Sequence, residues 1–442
     1  MNQPAANPAR LGRGVLSAAR PIPRAVFYPL LATLVLFLAA NTYASTFTTV
    51  VNAAKWLPLF GLAILTMTTL AGRRLPETVP VMLICLLLFL ALSTLGAILG
   101  VQEDLGAFSL VGIVLVMLMG YVLAAALIVT DSRRAFFELI GTIGRVLVVA
   151  SLLFYFARLN LGRGGGFAAW VDNPNTLAAM LAPGMVVFIA GCLERQPGWK
   201  IWHLAFLIVS VPLMWATSGR ASFVWVAFSA CAFWLYRRGS WLTVISAMVA
   251  LIVLIGWWEP ISSGTMHYLQ LDIDPGLATK AGPLSGREEV WRLGAELFWD
   301  RPLLGYGLGS SKELIEASAW RLVRFQGLNF HSSYFMLLVE TGLLGFLSFM
   351  AAMVFTISRG IADAGRTRAL PPENWPLAAL PFAMVAGALG HATFEAWLVA
   401  AGNVNAPLFW TCVWLVHFQT QIPIRARARR APAPEHAALR AR

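Results

Sequence analysis

The sequence predicts an all-α polytopic membrane protein with about 12 transmembrane helices and one long extracytoplasmic loop that contains amphipathic helices. Three observations support this fold class. Of the 442 residues, 58% are hydrophobic and only 12% are charged, and the mean hydropathy is +0.71. Apolar stretches of about 20 residues, the length of a bilayer span, recur along the chain. Basic residues cluster in alternate connections between these stretches, as membrane topology requires.

Composition also excludes several classes of protein. A soluble protein could not bury so much apolar surface, because soluble domains average about 25% charged residues. The formal net charge of +12 does not indicate nucleic acid, since the basic residues lie in short clusters between apolar stretches. The four cysteines, none in CxxC spacing, predict neither a metal site nor a disulfide framework.

The distribution of apolar and basic residues divides the chain into five regions. We expect residues 1–24 to form a cytoplasmic basic tail and residues 25–258 to form a transmembrane bundle of about nine spans. Residues 259–330 are expected to form a long periplasmic loop. Residues 331–420 would complete the transmembrane bundle with about three spans, and 421–442 would form a second cytoplasmic basic tail.

Individual spans follow from apolar windows of bilayer length. The windows lie near 25–44, 49–70, 78–100, 105–130, 136–159, 175–193, 199–217, 220–236, 240–258, 332–357, 375–397 and 402–420. The first leads directly into further spans, so it predicts a retained anchor rather than a cleaved signal peptide. Arginines in alternate connections, such as Arg133 and Arg134, place both termini in the cytoplasm, with chance clustering as the alternative.

The long loop is predicted to contain two amphipathic helices. Ser285, followed three residues later by Glu288, indicates a capping box that opens a helix through about Trp299. Its apolar residues recur at helical spacing, so this helix is expected to lie along the membrane surface. A second amphipathic run covers 311–325, and Pro302 with the glycines after it predicts a tight turn between the two.

Two other polar stretches are interpreted as structural. Asn173 is expected to cap the sixth span, with Pro174 at the first helical position, and a sugar contact is the alternative. The glycines of 162–166 follow no strand and lack a Walker pattern, so they predict a loop rather than a nucleotide site.

The tripeptide Ser-Gly-Arg occurs at 218–220 and again at 285–287, each time before a predicted helix. An arginine in the first helical turn lies beside unpaired N–H groups and the positive end of the helix dipole, where an anion is stabilised. Its planar guanidinium can also bind phosphate oxygens bidentately. Arg220 and Arg287 are therefore candidates for binding a phosphate, with snorkelling to the membrane interface as the alternative.

A histidine and several charged residues complete the candidate site. His331 lies at the expected outer edge of a span, where nearby arginines and a helix N-terminus favour a neutral, base-competent imidazole. A purely structural histidine is the alternative. Charges within spans cost about 2.5–3.5 kcal/mol each at the helix centre. The topology places Lys55, Glu340 and Glu395 in the outer half of the bilayer, where Glu340 would pair with an arginine and fix its direction. For these charges, direct contact with substrate and internal salt bridges that hold the bundle together are both open.

Four elements follow one another along the chain: Ser285-Gly286-Arg287 with Trp291, Pro302 to Gly309, His331 with Tyr334, and Glu340 to Gly345. In this order they resemble the conserved core of the O-antigen ligase and polymerase superfamily. The element at 218–220 and the multi-span layout extend the resemblance over most of the chain. One departure is Ser332, which stands where the family often has asparagine.

The resemblance to O-antigen ligase implies a donor glycan on undecaprenyl diphosphate, a lipid A core acceptor, and contact with membrane lipid but not nucleic acid. It implies an inverting, metal-independent and cofactor-free glycosyl transfer by a monomer, on the periplasmic face of the bacterial inner membrane. His331 would remove the proton from the acceptor hydroxyl, while Arg220 and Arg287 stabilise the diphosphate leaving group. Supporting candidates are Lys55, Glu340, Tyr334, Ser285 and Arg301.

Three alternatives remain open at this point. An O-antigen polymerase or a protein O-oligosaccharyltransferase would differ from a ligase in the acceptor that fits the outer cavity. From another class, a secondary transporter or lipid flippase would have a basic cavity. Transporters bind their substrate near the midplane between repeats, whereas the polar residues here cluster on one face.

Overall fold

A computed structural model describes residues 21–40, 54–72, 80–99, 103–162, 166–194, 197–238, 287–318, 322, 329–367 and 375–419. Within these ranges the chain forms thirteen helices and no β-strand, so the predicted all-α class is confirmed for this part of the protein. The predicted span at 240–258, the basic tail at 421–442 and the capping residue Ser285 lie outside the described residues.

The helices follow the predicted apolar windows closely. In chain order they are α1 (Arg24–Ala39), α2 (Trp56–Leu70), α3 (Pro80–Ile98), α4 (Glu103–Val129), α5 (Arg133–Phe156), α6 (Pro174–Leu193), α7 (Pro197–Ala216), α8 (Arg220–Arg238), α9 (Arg287–Asp300), α10 (Ser311–Ala317), α11 (Ser333–Thr367), α12 (Trp375–His391) and α13 (Ala406–Gln419). Among the described residues, five helices are long and apolar enough to cross a membrane: α3, α4, α5, α6 and α11. A multi-pass membrane protein is thus supported, while the number of about 12 spans stays a prediction.

Two helix boundaries near the candidate site have the expected local causes. Asn173 accepts a hydrogen bond from the Asn175 N–H at 2.8 Å, and Pro174 occupies the first turn of α6, so the predicted cap is confirmed. The predicted break between α7 and α8 is also present. Ser218 adopts a φ of +58° there, which turns the chain sharply before α8 begins at Arg220.

Helix α11 is interrupted at Gly342, where φ is +62°. Glycine adopts this conformation without steric cost, and a Cβ at this position would lie 2.3 Å from the carbonyl carbon of Leu303. The interruption frees backbone groups that pair with the turn after α9. The Tyr306 N–H donates to the Val339 carbonyl at 3.0 Å, and the Leu343 N–H donates to the Pro302 carbonyl at 2.7 Å. The glycine-containing motifs at 302–309 and 340–345 therefore pack together through hydrogen bonds between their backbones.

The second half of the bundle differs from the prediction at the end of α11, which runs to Thr367 and not to 357, and between α12 and α13. Helix α12 ends at His391 and α13 begins at Ala406, whereas spans were expected to run to 397 and to start at 402. The intervening residues 392–405, called the α12–α13 loop below, include buried apolar side chains such as Trp397 and Leu398. Hydropathy does not distinguish a buried loop from a helix end, so the predicted span was too long.

Candidate functional site

The carboxylate of Glu395, in the α12–α13 loop, lies between Arg287 and His331. Arg287 donates from Nη2 to Glu395 Oε1 at 3.1 Å. His331 Nδ1 lies 3.4 Å from Glu395 Oε2. All three side chains are largely buried, with 16–20% of each exposed. The structure thus brings one predicted phosphate-binding residue and the predicted base to a single carboxylate.

Arg287 is positioned by helix α9, of which it is the first described residue, as the sequence predicted. One turn further along, the indole N–H of Trp291 donates to the Phe330 carbonyl at 2.8 Å. The same indole stacks on Phe335 of α11, with 5.5 Å between ring centroids and 11° between planes. These contacts hold α9 against the segment that contains His331, so the guanidinium and the imidazole keep a defined separation.

His331 has an uncommon backbone conformation, with φ at +46°. A residue other than glycine in this region costs about 1–3 kcal/mol unless its surroundings impose the conformation. Here the His331 N–H donates to the side chain of Asn329 at 2.8 Å, and the side chain of Phe330 is fully buried. These neighbours maintain the left-handed turn that directs the imidazole towards Glu395.

Ser333 connects the start of α11 to the α12–α13 loop. Its N–H donates to the Ala392 carbonyl at 2.9 Å, and its hydroxyl donates to the Glu395 carbonyl at 2.8 Å. The same hydroxyl oxygen accepts from the Trp397 N–H at 2.9 Å and from the Leu398 N–H at 3.2 Å. The Ser333 side chain therefore provides hydrogen-bond partners for three backbone groups of the turn that contains Glu395.

Helix α8 contacts the same turn through aromatic residues. The indole of Trp397 stacks on Trp225, with ring planes 4° apart and centroids separated by 5.4 Å. The Trp397 indole N–H also donates to His391 Nδ1 at 2.7 Å, while His391 Nε2 lies 3.5 Å from the Ser222 hydroxyl. The first two turns of α8 therefore lie beside the end of α12 and the loop after it.

Arg220 lies at this end of α8, two residues before Ser222. Its N–H donates to the Ser218 carbonyl at 3.0 Å, and the preceding Gly219 N–H donates to the Thr217 hydroxyl at 3.1 Å. The turn before α8 is thereby fixed by its own backbone. Because Ser222 approaches His391, Arg220 lies at the same end of the bundle as Arg287 and His331.

The supporting residues have more varied positions. Lys55 reaches the far end of the α12–α13 loop, where its ammonium donates to the Gly402 carbonyl at 3.1 Å. Tyr334 donates from its hydroxyl to the Leu389 carbonyl at 2.7 Å and so joins α11 to α12. Both residues therefore contact the elements that surround Glu395. Ser285 lies outside the described residues.

Glu340 and Arg301 stabilise the turn between α9 and α10. Glu340 is buried, and its carboxylate accepts from the N–H and the hydroxyl of Ser311 at 3.2 and 2.5 Å, where the sequence suggested an arginine partner. The guanidinium of Arg301 lies 4.8 Å from the ring centroid of Tyr306 and donates to the Leu99 carbonyl at 3.4 Å. Their contacts support the turn rather than the Glu395 carboxylate.

The charges around Glu395 keep its carboxyl group ionised. Burial acts to raise the pKa of Glu395, but the contact with His331 and the positive charge of Arg287 lower it. The net result is a pKa below the ordinary value of a glutamic acid. At neutral pH the site therefore contains a carboxylate between two nitrogen donors.

An apolar cavity of about 350 Å³ lies between α8, α11 and α12. Its lining includes Phe228, Leu235, Tyr334, Ile361 and Thr393. Tyr334 and Thr393 lie three and two residues from His331 and Glu395, whereas Leu235 and Ile361 lie several turns away along their helices. The cavity is therefore lined by two residues that are close in sequence to His331 and Glu395, and otherwise by side chains of the apolar part of the bundle.

Residues 175–350 match the family model described as O-antigen ligase. The resemblance predicted from the sequence is confirmed over this segment. The segment includes Arg220, Arg287 and His331 and ends before Glu395. None of the curated proteins compared with the chain matches it. Over this segment, which is less than half of the chain, the protein is thus similar to the O-antigen ligase family.

The role of Glu395 was missed by sequence reasoning. The sequence marked it only as a costly charge in the outer half of a span, four residues after His391. It lies 108 residues from Arg287 along the chain, so no local motif connects the two. The available signal was the expected placement of a carboxylate on the same side of the membrane as both arginines. Ser333 and Trp397 gave no comparable signal.

Proposed function

We propose that the protein is an O-antigen ligase, which transfers a glycan from undecaprenyl diphosphate to the lipid A core oligosaccharide. The reaction would be an inverting, metal-independent transfer on the periplasmic face of the inner membrane. The observation that carries this proposal is the Glu395 carboxylate between Arg287 and His331, two residues of the segment that matches the ligase family. This arrangement supports the proposal because it would offer an anion-binding group and a proton acceptor to one reacting centre.

In the proposed reaction, the acceptor hydroxyl attacks the anomeric carbon of the donor sugar as the bond from that carbon to the diphosphate breaks. The bonding electrons leave with the diphosphate, whose negative charge increases in the transition state. Arg287 and Arg220 stabilise this charge more strongly in the transition state than in the ground state. Both arginines begin helices, and the N–H groups of a helix N-terminus also favour an anion.

His331 accepts the proton from the attacking hydroxyl. Its Nδ1 faces Glu395, so we assign the acceptor hydroxyl to the other ring nitrogen, Nε2. As the imidazole gains a proton, the Glu395 carboxylate stabilises the imidazolium and keeps the ring in one orientation.

The apolar cavity beside the site supports a lipid-linked donor. It begins near Tyr334 and Thr393 and continues along α8 and α11 between apolar side chains. A polyprenyl chain in this cavity would leave its diphosphate near the end that Tyr334 and Thr393 line.

An in vitro assay tests the proposed activity. Purified protein would be incubated with a synthetic glycan on a lipid diphosphate and with purified rough lipopolysaccharide, with a chelator present. We expect glycan on the lipopolysaccharide core, and no transfer from this complete mixture would contradict the proposal.

Lipopolysaccharide from a deletion strain separates the ligase from its relatives. Loss of a ligase leaves core without O-antigen, whereas loss of a polymerase leaves core with a single repeat. Unglycosylated periplasmic proteins would indicate a protein O-oligosaccharyltransferase. Substrate movement in sealed vesicles without glycan transfer would indicate a transporter or flippase.

A further inference from the structure

The turn that contains Glu395 is fixed from two sides by side chains outside the proposed chemistry. On one side, the Ser333 hydroxyl donates to the Glu395 carbonyl at 2.8 Å and accepts from the Trp397 and Leu398 N–H groups. Ser333 is fully buried, so water does not compete for these bonds. The backbone on both sides of the carboxylate is thereby tied to the first turn of α11, two residues after His331.

On the other side, a hydrogen bond between side chains closes the turn. The Trp397 indole N–H donates to His391 Nδ1 at 2.7 Å, joining the residue that ends α12 to one six positions later. His391 is 1% exposed and Trp397 is 2% exposed. Because Nδ1 accepts this bond, the neutral imidazole of His391 has its proton on Nε2, which faces the Ser222 hydroxyl at 3.5 Å.

We propose that Ser333, His391 and Trp397 are positioning residues, which hold residues 392–398 so that the Glu395 carboxylate faces both Arg287 and His331. This inference rests on the proposed function and extends it to residues whose contacts are with the turn and not with substrate. The carboxylate has two partners, at 3.1 and 3.4 Å. A displacement of about 1 Å would break either contact, and misplacement on this scale is known to reduce rates strongly.

Stacking and hydrogen bonding of Trp397 can be separated experimentally. Trp397→Phe keeps an aromatic ring against Trp225 but removes the indole N–H that His391 accepts. We expect kcat for glycan transfer to fall about tenfold, with the donor KM changed by less than about twofold, because the diphosphate contacts of Arg287 and Arg220 remain. Unchanged kcat in this variant would overturn the proposal.

Matched variants distinguish positioning from a general loss of packing. Trp414→Phe removes another buried indole N–H, which donates to the Met117 carbonyl at 3.2 Å within the bundle, and we expect its kcat to equal that of wild type. His391→Asn keeps a hydrogen-bond acceptor near the position of Nδ1, whereas His391→Leu has none. We therefore expect the asparagine variant to retain more activity than the leucine variant, and equal activity would contradict the role of the hydrogen bond.

A double-mutant cycle identifies Glu395 as the group being positioned. If Trp397 acts through Glu395, Trp397→Phe should change kcat by less than about twofold in a protein that already has Glu395→Gln. A full tenfold loss in both backgrounds would mean that Trp397 acts by another route.

A readout that needs no turnover separates this inference from the proposed function. The rate at which diethyl pyrocarbonate modifies His331 is measured by mass spectrometry of the peptide that contains it. We expect a faster rate in Trp397→Phe, equal to that in Glu395→Ala, because in both variants the carboxylate no longer covers Nδ1. If the wild-type protein transfers no glycan, the proposed function fails, while this comparison still decides the positioning role. A wild-type rate in Trp397→Phe would overturn it.

Discussion

Replacement of Glu395 by glutamine removes the charge between Arg287 and His331 with little change in shape. At an effective dielectric constant of about 20, unit charges 3.4 Å apart attract by about 5 kcal/mol. The glutamine oxygen still offers a dipole to the imidazolium, so we expect a net loss of about 3 kcal/mol in the transition state. This value corresponds to a decrease in kcat of about 100-fold.

Glu395→Gln should lower kcat but should not weaken binding of the donor. The Glu395 carboxylate competes with the diphosphate for Arg287, with which it forms an ion pair at 3.1 Å. Without the carboxylate, the guanidinium is available to the donor, so we expect the donor KM to stay the same or to decrease.

Initial rates at varied donor concentration measure both parameters, and Glu316→Gln on the exposed face of α10 is the matched control. A Glu395→Gln variant with kcat within about twofold of wild type, or with only KM increased, would refute the reasoning.

Further variants test the other parts of the site. His331→Ala should abolish transfer while the protein still inserts and binds lipid-linked donor, as measured by donor retention in detergent. Arg287→Ala should lower kcat and raise the donor KM together, and Arg287→Lys should recover part of the binding because it restores the charge without the planar fork. Gly342→Ala should lower the melting temperature, since a φ of +62° and a Cβ 2.3 Å from the Leu303 carbonyl carbon cost at least about 1–3 kcal/mol. The difference in melting temperature between wild type and Glu395→Gln should be constant above about pH 5 and should shrink at lower pH.

The direction of the pH effect follows from the lowered pKa of Glu395. A carboxyl group with a depressed folded-state pKa stabilises the protein fully above its unfolded pKa, about 4.3 for glutamic acid. That stability is lost as the pH falls through the folded-state pKa. A difference in melting temperature that grows on acidification would contradict this sign.

Each of these predictions would be contradicted by a specific result. Full activity in His331→Ala would remove the assignment of the base. Equal kinetics in Arg287→Ala and wild type would remove the assignment of the anion-binding group, and an unchanged melting temperature in Gly342→Ala would show that the interruption of α11 tolerates a side chain.

The sequence predicted those parts of the fold that depend on local signals. Apolar windows identified the helices, and Asn173 with Pro174 predicted the start of α6 because capping involves adjacent residues. The turn after Asp300 was also predicted, from its proline and glycines. The sequence did not predict that this turn pairs with the interrupted helix α11. The backbone hydrogen bonds between residues 302–307 and α11 join segments that are distant in the chain.

The candidate site was predicted only in part, for a related reason. Arg220, Arg287 and His331 belong to motifs with recognisable neighbours, whereas Glu395 lies in apolar sequence that resembles the end of a span. The residues after His391 are apolar because the loop is buried. A buried loop has the same apolar amino-acid composition as a buried helix, so composition does not distinguish the two. For Glu340, the sequence suggested a partner that the structure does not show. Its charge suggested an arginine, but its carboxylate accepts hydrogen bonds from Ser311.

An experimental structure in lipid nanodiscs, with a non-reactive analogue of a lipid-diphosphate-linked glycan, would test the assignment of the site most directly. We expect the diphosphate within hydrogen-bond distance of Arg287 and Arg220, and the anomeric carbon on the side of His331 that faces away from Glu395. A diphosphate bound elsewhere, or an imidazole far from the anomeric carbon, would contradict the assignment.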